Sequence, residues 1–408
     1  MARTAPRVAP SPTEIPDLAV TTASTNQGSR GPLRLILGGL YLLFLLYGFL
    51  VAIECMSKAI KVLADTGMLG AGGDEHALFG GVSNPFAGLA LGVLFTVMVQ
   101  SSSTTTSTIV AVVASGALTV EQAVPMIMGA NIGTTITNTL VSLGHVRRSA
   151  EFRRAYAAAT VHDFFNLILV AILLPIELYT GVLSRAASWL AGSLSVGEVD
   201  AYKSPIKGAI KGAHKAILAA MESLGLEGRA LGLVMLIGGI ALTILCLAQI
   251  TINMRKHLAG RIEQAITKAL DSRAIFGVAL GTGITVAVQS SSITTSLLVP
   301  MCAAGVMSLA NAFPIMLGAN IGTTITAVMA ALAQDSQAAL TVAFVHVLFN
   351  VTGVAVVLPL KPLRAVPLFL AEKLADAAVK NRAWIAIYVF GVFILLPLVG
   401  WFFWKDGG

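Results

Sequence analysis

Residues 99–108 read VQSSSTTTST, and residues 288–297 read VQSSSITTSL. Both strings belong to a longer match, in which 88–138 aligns with 277–327 without a gap at an offset of 189 residues. Chance similarity between apolar helices does not give identical polar strings at a fixed separation. The chain therefore contains an internal repeat, which we interpret as a gene duplication.

Two further strings recur beyond the QSSS pair. GANIGTTIT occupies 129–137 and 318–326, and VHDFFN at 161–166 is matched by VHVLFN in the second copy. The repeat thus extends over about residues 88–166 in the first copy and 277–350 in the second.

Each copy predicts a helical hairpin. The apolar run from Phe86 to Val99 has 14 residues, fewer than the about 20 that a helix needs to cross the bilayer core. The polar run from Gln100 to Thr108 follows, and then a second apolar run from Ile109 to Leu118. A helix–break–helix hairpin that enters and leaves on one side fits this pattern. Its polar tip must then be buried in protein or line a wet cavity.

Composition indicates a membrane protein. The chain has 408 residues, of which 56% are hydrophobic and 12% charged, whereas soluble domains carry about 25% charged residues. Basic residues cluster beside apolar runs, as at 147–154 and 255–273, which is typical of cytoplasmic loops. They are not interleaved with aromatic residues, so the net charge of +7 does not indicate a nucleic-acid partner. We predict a multi-pass protein of the cell (inner) membrane, surrounded by the lipid bilayer.

The predicted fold class is an all-α polytopic membrane protein with two inverted-topology repeats, each with a re-entrant helical hairpin. The N-terminal residues are rich in Ser, Thr, Pro and Ala and predict a cytoplasmic N-terminus, so the first span runs outward. An odd number of crossings then separates the hairpins and inverts the copies, as in many transporters. The predicted regions are a disordered cytoplasmic tail at 1–33, membrane repeat 1 at 34–176, a connecting segment at 177–228, membrane repeat 2 at 229–360, and an amphipathic segment with a final transmembrane helix at 361–408.

This count of crossings makes three local predictions. Val124 to Val141 is one crossing, which returns inward to the loop at 147–154, and Leu231 to Ile252 is another that ends in a loop carrying Arg255 and Lys256. The segment 203–215, KSPIKGAIKGAHK, is basic although the count places it outside the cell. We interpret it as an amphipathic helix on the membrane surface.

The QSSS strings predict an anion site. Isolated Ser or Thr residues in a helix often bond to the preceding turn, but a run of four to nine polar residues that occurs twice exceeds that need. At a helix break, such residues present hydroxyls and backbone N–H groups beside the positive end of a helix dipole. The predicted anion-binding residues are Gln100, Ser101, Ser102, Ser103, Ser290, Ser291 and Ser292.

The GANIGTTIT strings have two possible roles. Their paired glycines fit close helix packing, whereas Asn131, Thr134 and Thr137 share one helix face and could be cation ligands in the same cavity as the QSSS strings. We favour the ligand role. His162 and Asp163 are also candidates, because ionisable groups inside a membrane are expensive. Asp163 is matched by Val347, so a simple pairing with His162 or a nearby arginine is an equal alternative.

Enzymatic chemistry is not indicated. Ser, His and Asp are all present, but there is no GxSxG elbow, and the polar run is duplicated. The three cysteines, Cys55, Cys246 and Cys302, have spacings unrelated to zinc sites or to a disulfide framework. We predict that the protein is not an enzyme and has no cofactor.

The motifs resemble those of the type II sodium–phosphate cotransporters, a family with renal, intestinal and bacterial members. The resemblance covers about residues 34–360 and rests on both QSSS strings, both GANIGT segments, SNP at 83–85, and FRRA followed by TVHD within 152–163. It implies sodium-driven import of inorganic phosphate by a bacterial member of the family, with phosphate held between the hairpins. It also implies sodium near Gln289 and around Thr323 and Thr326. The predicted sodium-binding residues are Gln289, Asn131, Thr134, Asn320, Thr323 and Thr326.

Charge supports a coupling cation independently. Moving a dianion into a cell that is negative inside by 100 mV costs about 4.6 kcal/mol, twice the cost for a single charge. The repeat cores contain no Arg or Lys to neutralise the dianion. Hydroxyl-rich sites without repeated carboxylates favour sodium over protons. Two alternatives stay open, a sodium-coupled carrier of another oxyanion and a non-transporting membrane sensor of phosphate.

Overall fold

The computed structural model describes residues 32–66, 82, 84–195, 205–268 and 273–404. The chain divides into two compact units, 1–41 and 42–408. The described part of the first unit is the helical stretch 32–41. The predicted tail at 1–33 lies outside the described residues, apart from its last two positions.

The described residues form sixteen α-helices and no β-strand. The helices are α1 Pro32–Asp65, α2 Pro85–Val99, α3 Ser102–Ser115, α4 Val120–Gly133, α5 Ile136–Ser142, α6 Ser149–Thr180, α7 Val182–Ser195, α8 Pro205–Ser223, α9 Gly228–Lys268, α10 Ala274–Val288, α11 Ser291–Ala303, α12 Leu309–Leu332, α13 Gln337–Val357, α14 Lys361–Lys380, α15 Ala383–Phe390 and α16 Leu396–Trp404. A π-helical segment, Gly391–Leu395, joins α15 to α16.

Six stretches of the described chain are long and apolar enough to cross a bilayer. They are Ile36–Asp65, Ser149–Thr180, Gly228–Leu258, Leu309–Leu332, Gln337–Val357 and Ala383–Trp404. The predicted class, an all-α multi-pass membrane protein, is confirmed.

Each repeat contains a helical hairpin, α2–α3 in the first copy and α10–α11 in the second. Asn84 is the N-cap of α2, because its side chain accepts a hydrogen bond from the Phe86 N–H. Pro85 occupies the first helical position, and both features are typical of helix N-termini. The break is confined to two residues in each copy, Gln100–Ser101 and Gln289–Ser290. Most of each polar run is therefore helical and forms the first turns of α3 or α11.

The first helix of each hairpin packs closely against a GANIGT helix at glycine positions. α2 packs along α4, and α10 packs along α12. A Cβ atom on Gly129 would overlap the backbone of Leu89, and a Cβ on Gly318 would overlap the backbone of Val278. The glycines of GANIGT therefore serve close helix packing.

Two expectations about helix bounds are wrong. Val124 to Val141 is not one helix, because a turn at Thr134–Thr135 separates α4 from α5. Arg255 and Lys256 do not lie in a loop, because α9 continues as a helix to Lys268. Beyond the apolar span, Ile262 and Ile266 are buried against the core, so packing sustains the helix through this charged stretch.

The connecting segment is helical where it is described. α7 packs against α13. α8 contains the described part of the basic stretch 203–215, and its apolar side, which includes Ile210, packs with residues of α1 and α9. The predicted amphipathic helix therefore exists, with its apolar side covered by protein.

Candidate phosphate and sodium site at the hairpin tips

Both hairpins turn on a glutamine in the left-handed region. Gln100 and Gln289 each have a φ of 57°, and they are the two non-glycine residues with positive φ in the described part of the chain. This conformation is uncommon for a residue with a side chain. Unusual backbone of this kind tends to cluster at functional sites.

The next residue opens the second helix of each hairpin. Ser101 and Ser290 are extended, with φ values of −152° and −155°, and they are the N-caps of α3 and α11. The Ser101 hydroxyl accepts a hydrogen bond from the backbone N–H of Thr104. The first N–H groups of α3 and α11 thus lie at the tips, where helix dipoles favour an anion.

Matched hydrogen bonds hold the two tips in the same shape. Thr137 donates to Oε1 of Gln100 over 3.1 Å, and the equivalent Thr326 donates to Oε1 of Gln289 over 3.0 Å. Each glutamine also donates from Nε2 to a carbonyl of its own first helix. Inside the first hairpin, Thr96 and Thr105 are bonded through their hydroxyls, as their equivalents are in the second.

The two tips meet at one cavity of about 310 Å³. Every residue of both QSSS strings lines it, together with Thr104 and Thr137, and α9 closes one side with Thr251 and apolar residues. Among the described residues that line this cavity, none is ionisable. The site therefore offers hydroxyls, amides and helix N-termini, but no fixed positive charge.

Comparison with known proteins bears on this arrangement. The family model of the Na⁺/Pi-cotransporter matches residues 49–189 and 242–365, which include both QSSS strings and both GANIGT segments. The chain belongs to the Na⁺/Pi-cotransporter family. This is a family of transporters, not of enzymes.

Curated members of the cotransporter family are similar along most of this chain. Sodium-dependent phosphate transport protein 2A of Ovis aries is 33% identical over 87% of this chain and 66% of its own length. Sodium-dependent phosphate transport protein 2B of Homo sapiens is 31% identical over 92% of this chain and 67% of its own length. The chain thus spans about two thirds of the length of these relatives. No solved structure matches it.

The asparagines of GANIGT do not line the cavity at the hairpin tips. Asn131 and Asn320 are buried in a polar network between the repeats. Asn131 accepts hydrogen bonds from Asn166 and Asn350, and Asn320 bonds to Asn166 and to Nε2 of His162. The expectation that Asn131 shares the cavity with QSSS is therefore not met, because these partners draw its amide away from the hairpin tips.

The threonines of GANIGT divide into two groups. Thr134 and Thr323 donate to carbonyl groups of their own helices, Ala130 and Ala319 respectively, and neither lines the cavity. Thr326 is bonded to Gln289, and its equivalent Thr137 lies on the cavity wall. The structure therefore brings Gln289 and Thr326 of the predicted sodium set to the tips, but not the other four residues.

Asp163 has a partner that the sequence did not indicate. It is fully buried, and its Oδ2 accepts a hydrogen bond of 2.9 Å from the Tyr388 hydroxyl, in the last membrane helix. Its Oδ1 has no hydrogen-bond partner. The alternative pairing with His162 does not form, since His162 bonds to Asn320.

Sequence reasoning missed three features of this region. Thr251 lines the cavity from α9, which lies outside the recognised repeat motifs. Asn138 accepts a hydrogen bond from Thr295 of α11, which joins repeat 1 to the second hairpin. Thr137, which matches Thr326 in the alignment, lies at the cavity although the predicted sodium set does not include it. The alignment could have revealed Thr137, whereas the other two depend on packing between distant segments.

Proposed function

We propose that this chain is a sodium-coupled secondary transporter that imports inorganic phosphate by alternating access, with the substrate held between the two QSSS tips. The observation that carries the proposal is the pair of tips with equal geometry, both of which line one cavity. We choose phosphate as the substrate and sodium as the coupling ion because the curated relatives are named sodium-dependent phosphate transport proteins.

The donors at the tips suit a tetrahedral oxyanion. The six serines that line the cavity come from both hairpins, and they form the N-terminal ends of α3 and α11. Hydrogen bonds to a charged group contribute about 1.5–3 kcal/mol each. Donors from two hairpins can therefore hold an anion without a lysine or an arginine.

A coupling cation follows from the charge balance. The described residues around the cavity supply no positive charge, so a dianion would enter a negative cell at a cost of about 4.6 kcal/mol per 100 mV. Sodium bound near Gln289 and Thr326 would offset that charge, since amide and hydroxyl oxygens suit a small hard cation. The equivalent pair, Gln100 and Thr137, provides the same ligands at the first tip.

The proposed orientation has an N-terminus inside the cell and inverted repeats in the inner membrane. Polar contacts between distant elements are consistent with it. Arg229 donates to the carbonyl of Thr66, and the count of crossings puts both outside. Arg382 donates to the carbonyl of Val146, and the count puts both inside.

Cysteine labelling tests this orientation. In a background without native cysteines, Arg148→Cys and Arg255→Cys should both react with an impermeant maleimide from the cytoplasmic side alone. Reaction of either position from outside would contradict the inverted arrangement.

Uptake into proteoliposomes tests the function itself. Radiolabelled phosphate should accumulate when an inward sodium gradient is present, and excess unlabelled sulfate or a dicarboxylate should not compete. Equal uptake in sodium-free medium with a proton gradient would refute sodium coupling. Strong competition by sulfate would instead assign the site to another oxyanion.

A further inference from the structure

A second cavity, of about 500 Å³, lies against the first hairpin. Its walls come from α1, α2, α3, α4, α9 and α16. The helix α3 borders both cavities, with Thr104 on the QSSS side and Thr105 and Thr108 on this side. None of the sites discussed above includes this cavity.

The cavity lining has no free side-chain polar group that would bind water. Apart from Thr105 and Thr108, its lining side chains are apolar, and Gly92 completes the wall. Both hydroxyls are already used, because Thr105 donates to the carbonyl of Ser101 and Thr108 donates to the carbonyl of Thr104. Apolar cavities without polar partners do not hold water and bind apolar ligands instead.

The cavity is continuous with the surface that faces the bilayer. Leu233, at its edge on α9, is 36% exposed, and the neighbouring Ile237 is 65% exposed. On the other side, Trp401 lines the cavity, and it is followed by the exposed Phe402 and Phe403. Apolar side chains exposed on membrane helices contact lipid chains, so acyl chains reach the mouth of the cavity.

We propose that this cavity binds the acyl chain of one bilayer phospholipid. The chain enters between α9 and α16 and extends inward past Leu236 towards Ile109 and Met126. An acyl chain matches the lining in chemistry, and the bilayer supplies it at high concentration. A helix of a partner protein is about 10–12 Å across with its side chains, so a single turn of it would fill the volume.

The bound chain would support the first hairpin from behind. Thr105 lies on the cavity wall, accepts a hydrogen bond from Thr96 and donates to the carbonyl of Ser101. The wall is thus connected by hydrogen bonds to the QSSS tip. A filled cavity adds contacts between α3 and the walls formed by α1 and α9, beyond the packing that α3 already makes with these helices.

Photolabelling in nanodiscs tests the proposal with a phospholipid that carries a diazirine near the end of one acyl chain. The full-length protein should be labelled at Ile109 or Met126, which are 3% and 6% exposed and which annular lipid cannot reach. Leu236→Trp should fill the cavity and lower this labelling at least tenfold. The matched control is Ile237→Trp, which adds the same ring one residue away on the lipid-facing side and should leave the labelling unchanged.

Ile240→Trp is a second filling variant, for the case that Leu236→Trp does not fold. It should lower the labelling to the same extent, because Ile240 also lines the cavity. Labels confined to outward-facing residues of the wild-type protein would overturn the proposal. Labelling of Ile109 and Met126 that persists in a folded filling variant would overturn it equally. Neither outcome depends on phosphate transport.

Discussion

The two copies of GANIGTTIT have the same nine residues but different backbones. In repeat 1 the string is interrupted by the turn at Thr134–Thr135, whereas in repeat 2 the helix α12 runs through it unbroken. The QSSS hairpins, by contrast, agree in φ within a few degrees at both tip residues. Identical local sequence is thus sufficient for the hairpin turn but not for the GANIGT helix.

The surroundings of the two GANIGT strings differ where the backbones differ. In repeat 1, Thr135 lies next to Asp163. In repeat 2, Asp163 is replaced by Val347. Just after the string, Asn138 bonds to Thr295 of the second hairpin, and its equivalent is Ala327. Polar partners in repeat 1 thus accompany the turn, and apolar residues in repeat 2 accompany the continuous helix.

The two hairpins also differ at their bases, which are the C-terminal ends of α3 and α11, away from the tips. Arg154 of α6 donates hydrogen bonds to the carbonyls of Cys302 and Ala303, at the C-terminal end of α11. A cation at this end of a helix is favourable. The position equivalent to Arg154 in repeat 2 is Ala338, so the base of the first hairpin has no such arginine from α13.

The largest expected effect tests whether the tips are equal. Replacing 101–103 or 290–292 by three alanines should each abolish measurable phosphate uptake, because one hydroxyl bond to a charged group contributes about 1.5–3 kcal/mol, or roughly ten- to a hundredfold in affinity. Single variants Ser102→Ala and Ser291→Ala should each raise the phosphate concentration for half-maximal uptake by roughly tenfold.

Ser115→Ala, at the end of α3 and outside the polar run, is the control and should transport normally. Backbone N–H donors survive alanine, so the triplets decide the matter. A triplet variant that reaches the membrane and keeps its apparent affinities for phosphate and sodium would show that the tips are not equivalent.

The second prediction distinguishes two roles of the tip glutamines, the backbone conformation of the turn and the hydrogen bond that the side-chain amide accepts. Glycine adopts positive φ without strain, so Gln289→Gly should keep the turn but remove the acceptor of Thr326. We expect a roughly tenfold higher sodium concentration for half-maximal uptake, as for the loss of one or two hydrogen bonds. Gln289→Val should be worse, because a β-branched residue resists this φ.

Gln100→Gly provides the comparison between the copies. A similar sodium shift in both variants would extend the symmetry of the tips to cation binding. If Gln289→Gly transports with unchanged sodium dependence, the amide is not a sodium ligand.

The third effect sharpens the difference between the hairpin bases. Arg154→Ala should lower the free energy of unfolding by about 1.5–3 kcal/mol, since it removes charged hydrogen bonds to two carbonyls. Hydrogen exchange should increase at 301–306 and stay unchanged at 112–117, at the base of the first hairpin. Arg148→Ala is the control, because that side chain is 77% exposed. Equal changes at both bases would contradict the asymmetry.

The smallest effect concerns the salt bridges between the connecting segment and repeat 2. Lys211 and Lys207 both bind Asp335, and the hydrogen bond from Lys211 is the main cause that lowers the pKa of this carboxyl. A lowered pKa stabilises the fold above the ordinary aspartate pKa, and this stabilisation is lost as the pH falls through the lower folded value. The side chain of Asp335 is 56% exposed, so the contribution is about 0.2–1 kcal/mol.

Thermal unfolding of Asp335→Asn measures this contribution. The variant should unfold at a slightly lower temperature than the wild type at pH 7, and the difference should disappear as the pH falls through the lowered pKa of Asp335, because the carboxylate is then protonated. Glu222→Gln, on the exposed side of α8, controls for loss of a surface carboxylate. A difference that persists at low pH would mean that the salt bridge is not its cause.

The sequence by itself determined the membrane class, the duplication and the two hairpins. These features depend on local patterns, namely long apolar runs, runs too short to cross, and polar strings between them. It also placed the QSSS residues together, because two copies of one unit present the same tip. The π-helical link before α16 and the continuation of α9 to Lys268 had no comparable local signal.

Only the tertiary structure decided which polar groups reach the cavity. Asn131 and Asn320 carry the same motif signal as Thr326, yet partners on α6 and α13 hold them in a network away from the tips. Thr251 reaches the cavity because α9 packs beside the tips, and Arg154 meets α11 across 149 residues of chain. Contacts of this kind depend on which side chains packing brings together, and periodicity within one segment does not encode them.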